Sequence, residues 1–129
     1  MTGELRERLE ELRQVVLALH KALVDSERVT YEATVGPIQS PNHFLQLLTG
    51  DPWFAWLQPL SPLIVSMDEA QDPREELSAA VVEALTRQTR LLLTPSETGE
   101  GFARHYYDAL QRDPDVVIAH AEVVKLLKA

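Results

Sequence analysis

The chain of 129 residues contains no cysteine. Disulfide frameworks, thiolate zinc sites, cysteine-ligated iron–sulfur clusters and cysteine nucleophiles are therefore excluded. It also lacks a run long enough to cross a bilayer as a helix. The longest strongly apolar uncharged stretch, Pro52 to Met67, holds sixteen residues and is interrupted by Pro52, Pro59 and Pro62, whereas a span needs roughly 20. Glu4, Arg6 and Glu7 bring charge within a few residues of Met1, so no apolar leader is expected. The expected setting is cytoplasmic, with no membrane association. Positive charge is scarce: 12 lysines and arginines face 20 aspartates and glutamates, for a net charge of −8. Such a balance argues against nucleic acid or any other polyanion as partner. The deficit is local, since residues 29–73 hold Glu32, Asp51, Asp68, Glu69 and Asp72 but no lysine or arginine.

What is present suits one globular domain spanning residues 1–129. The chain is 45% hydrophobic and 25% charged, which fits neither a disordered nor a membrane-embedded chain. A chain of this mass buries about two thirds of its surface on folding, enough for a core without staples. Leu5, Leu9, Leu12, Val16, Leu19 and Leu23 recur at alternating steps of four and three residues. That heptad seam predicts a long N-terminal helix from about residue 4 to 35, ended by Gly36-Pro37. After Leu23 the seam positions pass to Ser26, Thr30 and Ala33. Five times a good cap residue directly precedes proline: Ser40-Pro41, Asp51-Pro52, Asp72-Pro73, Thr94-Pro95 and Asp113-Pro114. A cap side chain accepts from first-turn amides, and proline in the next position lacks the amide that would be orphaned. Glu75 and Glu97 complete two apparent capping boxes. These signals predict helices over about 41–49, 52–70 with a bend at Pro59 or Pro62, 73–93, 95–112 and 114–128. The expected fold is an all-α bundle of five or six helices, with the first and last packed centrally. The last segment is rich in valine and would also suit a strand.

The stretch Asp51-Pro52-Trp53-Phe54-Ala55-Trp56-Leu57-Gln58-Pro59-Leu60-Ser61, followed by Leu63-Ile64-Val65, resembles a segment of an uncharacterised family of small all-helical bacterial proteins. The resemblance implies a bacterial, cytoplasmic, all-helical protein of similar length. It carries no catalytic or ligand-binding residue across.

Motifs for chemistry are few. There is no Gly-x-Ser-x-Gly elbow, and Gly99-Glu100-Gly101 follows no predicted strand and carries a glutamate that would repel phosphate. The four histidines are His20, His43, His105 and His120. None has a glutamate three residues before it and no pair is spaced His-x-x-x-His, so the di-iron and helical zinc signatures are absent. The expectation is no tightly bound metal and no cofactor. His105 and Asp108 share a helix face, and His120 interrupts the most apolar helix; these three are the weak ligand candidates. Trp53, Phe54 and Trp56 fall within four residues and read either as a buried anchor or as an exposed patch for a partner. Leu12 and Leu19 on the heptad seam could pair with a second copy to make a homodimer. The acidic stretch 29–73 reads as a solvated face, or as a surface for a basic partner or a divalent cation. Two functional classes follow. One is a non-enzymatic protein-interaction or self-associating module, and the other is a bundle that binds a metal or small ligand through histidines and acidic residues. No motif supports an enzyme.

Overall fold

The computed structural model describes residues 2–128 and contains, among them, six α-helices and one 3₁₀ segment, with no strand. The helices are α1 (Thr2–Thr34), α2 (Pro41–Gly50), α3 (Leu60–Ala70), α4 (Ala79–Leu92), α5 (Gly101–Arg112) and α6 (Pro114–Lys128). The 3₁₀ segment, Pro52–Leu57, lies between α2 and α3. The all-α expectation holds, including the long first helix.

The heptad seam explains why α1 organises the rest. Leu9, Leu12, Val16, Leu19 and Leu23 are at most 4% exposed, because α6, α3, α4 and the 3₁₀ segment all pack against α1, α6 most extensively. Burying a leucine side chain is worth about 1.5–3 kcal/mol, so this stripe is a large share of the core. It is covered by the chain's own helices, and Leu12 and Leu19 are therefore not a free surface for a second copy. After Thr34, Gly36 adopts φ 150°, a backbone region that side chains disfavour. The Glu32 carboxylate, which accepts from the Ile38 amide at 3.1 Å and from Arg28 Nε at 3.3 Å, fastens the outgoing chain.

Three of the five cap-before-proline signals open helical segments as expected. Ser40 Oγ accepts from the His43 amide at 3.0 Å and starts α2. Asp51 accepts from the Trp53 amide at 2.8 Å and starts the 3₁₀ segment. Asp113 accepts from the Asp115 amide at 2.9 Å, one residue into α6. The other two do not. Asp72 accepts from the amide and guanidinium of Arg74, closing a turn over its own neighbour. The helix waits for Ser78, whose Oγ accepts from the Val81 amide at 3.2 Å. Thr94 donates its hydroxyl back to the Arg90 carbonyl at 2.6 Å. It thereby finishes α4, and α5 begins only at Gly101, which has φ 61°. The expected helices 73–93 and 95–112 are thus shortened at their starts by local competition for the cap side chain. The expected bend in 52–70 is a full break at Gln58 and Pro59. Pro62 sits in the first turn of α3, where its missing amide is not needed.

α6 is a helix, as expected over a strand, but it is not buried on all sides. Val116 and Val123 are fully buried against α1, whereas Val117 is 45% and Ile118 64% exposed. Its valines follow helical spacing, and only one face has neighbours to meet.

Candidate functional site

The aromatic segment is largely core. Phe54 is 1% exposed and packs against Tyr31 and Phe44, with ring centroids 5.5 and 5.8 Å apart. Trp53, half-buried, meets Tyr31 edge-on at 5.7 Å. Its indole Nε1 donates to Glu27 Oε2 at 2.9 Å. Glu27, only 5% exposed, also accepts from Arg112 Nη2 at 2.6 Å, while Arg112 Nε donates to Ser26 Oγ at 3.2 Å. This cluster joins α1, the 3₁₀ segment and the last turn of α5. A carboxylate can be retained in a core when its oxygens are hydrogen-bonded and its charge is matched. With both oxygens engaged, Glu27 is a structural tie. Sequence reasoning did not single out Glu27 or Arg112. Only their partner Ser26 falls on the seam after Leu23; Glu27 beside it and Arg112 on α5 carry no periodic signal of their own.

Trp56 begins a second row. It lies 5.4 Å from the Phe102 ring and stacks on His105 at 5.3 Å with an interplanar angle of 15°. Phe102 leads to Tyr106, which is completely buried and whose hydroxyl is hydrogen-bonded to Nδ1 of His120. Burial pushes the Tyr106 phenol well above its usual range and the His120 imidazole below its own. Both therefore stay uncharged at neutral pH. His105 is exposed, and its Nδ1 donates to the Gly101 carbonyl at 2.8 Å. Asp108 pairs with Arg104 at 3.3 Å. The three ligand candidates thus have separate engagements rather than a common focus. Among the described residues no three histidine or carboxylate side chains come together in a way that could hold a metal ion.

A groove of about 640 Å³ lies between α1, α4 and the end of α6. Leu12, Val82, Leu126 and Leu127 line its apolar part. Around them stand Arg8, Arg87 and Arg90, with Glu11 and Glu83 between. Arg90 donates to the Leu127 carbonyl at 3.0 Å, holding the end of α6 against α4. Among the described residues neither Arg8 nor Arg87 joins an ion pair, and the favourably spaced Glu83 and Arg87 do not close one. The groove lining therefore mixes apolar, cationic and acidic side chains, with three arginines against two glutamates. Charge counting over the whole chain hides this arrangement, because the arginines come from separate helices. Among the described residues no helix is long and apolar enough to cross a membrane. No family model, no curated protein and no solved structure matches the chain.

Proposed function

We propose that the chain is a non-enzymatic helical interaction module that docks an acidic amphipathic helix of a protein partner in the groove between α1, α4 and α6. One observation carries the reading: three arginines outnumber the two glutamates around a groove that Leu12, Val82, Leu126 and Leu127 also line. Helix-in-groove recognition needs an apolar floor for the buried stripe and charge at the rim to set orientation. Guanidinium groups suit carboxylates because they offer a planar fork of donors. The net charge of −8 does not preclude an acidic partner, since exposed charges more than about 8 Å away are largely screened at physiological salt. The accessible surface, 7885 Å², exceeds the roughly 6,900 Å² expected for a monomer of this mass. A cytoplasmic setting belongs to the same reading.

The test is titration of a synthetic acidic leucine–glutamate helix into the isotope-labelled chain. Amide shifts should concentrate on α1, α4 and α6. Arg8→Glu and Arg87→Glu should each weaken binding by about tenfold, equivalent to about 1.4 kcal/mol. Shifts centred elsewhere, or affinity unchanged by both reversals, would refute the assignment.

Self-association is a second reading, favoured by the neighbouring exposed Val117 and Ile118 on α6. Light scattering over a concentration series decides it. A mass that stays at 14.5 kDa into the high micromolar range rejects a homodimer.

A further inference from the structure

A smaller pocket of about 190 Å³ opens between α1, the end of α2 and the junction of the 3₁₀ segment with α3. Its floor is Phe54 and Leu57, 1% and 5% exposed, and its wall includes the imidazole of His20. We propose that this pocket binds a small uncharged molecule with one ring and one hydroxyl, a phenol or cyclic alcohol, with His20 as the hydrogen-bond partner. The site is separate from the groove and stands whether or not a protein docks there.

Size sets the first limit. A dry engineered cavity of about 150 Å³ accommodates benzene, so this space takes one six-membered ring with a short substituent. Charge sets the second. No lining residue is an aspartate, glutamate, lysine or arginine. Burial pushes the His20 imidazole below its usual range, which leaves it neutral at pH 7. An ammonium would lose water with no carboxylate to receive it. An anion would meet no cation, and the stretch 29–73 that supplies most of the lining holds five carboxylates and no lysine or arginine.

Hydrogen bonding sets the third limit. A neutral imidazole offers one donor and one acceptor. The imidazole hydrogen bonds among the described residues belong to His43, His105 and His120, and none involves the half-buried His20. A hydroxyl is the smallest group that can use either. The Thr49 hydroxyl at the rim already donates to the Leu45 carbonyl at 3.0 Å, so it has acceptor capacity left for a ligand proton.

The experiment titrates phenol and cyclohexanol into the labelled full-length chain, with benzene, benzoate and benzylamine as comparators. Phenol should saturate with a dissociation constant of about 0.1–1 mM. It should move the His20 ring nitrogens together with the amides of Thr49, Leu57 and Gln58. Benzene should bind about 5- to 10-fold more weakly, the effect of one neutral hydrogen bond, and the two charged comparators more weakly still. His20→Phe keeps a ring in the wall and should bring phenol down to the affinity of benzene. Ser61→Trp should block the pocket, with Leu48→Phe as the milder blocking variant if the first does not fold. Benzoate or benzylamine binding as tightly as phenol, saturating shifts outside the pocket, or a phenol affinity indifferent to His20→Phe would each overturn the proposal.

Discussion

Replacing Arg112 with methionine tests whether the Glu27 cluster ties the bundle together. The Glu27 side chain is 7% exposed and that of Arg112 33%, so the substitution removes the cation but leaves the carboxylate almost out of water. Breaking a buried pair from one side costs about 3–5 kcal/mol. Arg112 is a third exposed, and water can follow its departure, which places the expected loss at the lower end, about 3 kcal/mol. At about 4 °C per kcal/mol for a domain of this size, the melting temperature should fall by about 12 °C. Glu27→Gln keeps an acceptor for the Trp53 indole and loses only charge assistance, so it should cost about 1–1.5 kcal/mol. The decisive variant is the double substitution Glu27→Leu with Arg112→Met. It removes the stranded charge and leaves only the Trp53 indole and the Ser26 hydroxyl without their partners, a loss of about 1–2 kcal/mol. It should therefore be more stable than Arg112→Met alone. Urea unfolding followed by circular dichroism measures all three. A loss below about 1 kcal/mol for Arg112→Met, or a double variant no more stable than Arg112→Met alone, refutes the reasoning.

Three further outcomes are expected. Leu12→Glu and Leu19→Glu should abolish the cooperative helical transition rather than change the mass of a folded species, because both side chains are enclosed by the chain's own helices. Ser78→Ala should cost about 1 kcal/mol through loss of the α4 cap, and Asp72→Ala should cost less, since Asp72 caps no helix; urea midpoints compare them. Stability should decline on acidification through pH 6.5. Burial holds His20 and His120 below the ordinary histidine range near 6.5. In that range the unfolded chain binds protons that the folded one does not, so ΔG rises with pH up to about 6.5 and then levels. Thermal melts between pH 5 and 8 should show a flatter slope for the His20→Phe, His120→Phe double variant.

Helix existence was legible in the sequence, whereas helix starts were legible only where a cap side chain had no better local use. Ser40, Asp51 and Asp113 accept from the turn they introduce. Asp72 and Thr94 have the same neighbour, proline, but Asp72 turns to Arg74 and Thr94 back to Arg90. Those choices depend on which residue two steps ahead is an arginine, or on whether a helix behind still has an open carbonyl. A cap-before-proline pattern encodes neither. The valine-rich C-terminal segment shows a related limit. Its central placement was expected, yet Ile118 is 64% exposed. Apolar composition states what a helix could bury, and the number of neighbours decides what it does bury.

Functional geometry was the least legible part, for a physical reason. A seam can be read from one segment because its residues share a helix. The features that converge here come from segments far apart in the chain. Arg8 and Arg87 reach one groove from α1 and α4, and His20 meets Phe54 and Ser61 across the 3₁₀–α3 junction. His105 and Asp108, which do share a helix face, were the natural candidates, and each is engaged elsewhere, by Gly101 and Arg104. The aromatic segment shows the same division within four residues. Phe54 points into the core, Trp53 reaches the buried carboxylate of Glu27, and Trp56 stacks under His105. A 3₁₀ turn advances three residues per revolution rather than 3.6, so three aromatics within four residues are sent to different neighbours. The segment is core at Phe54 and a connection between helices at its two tryptophans.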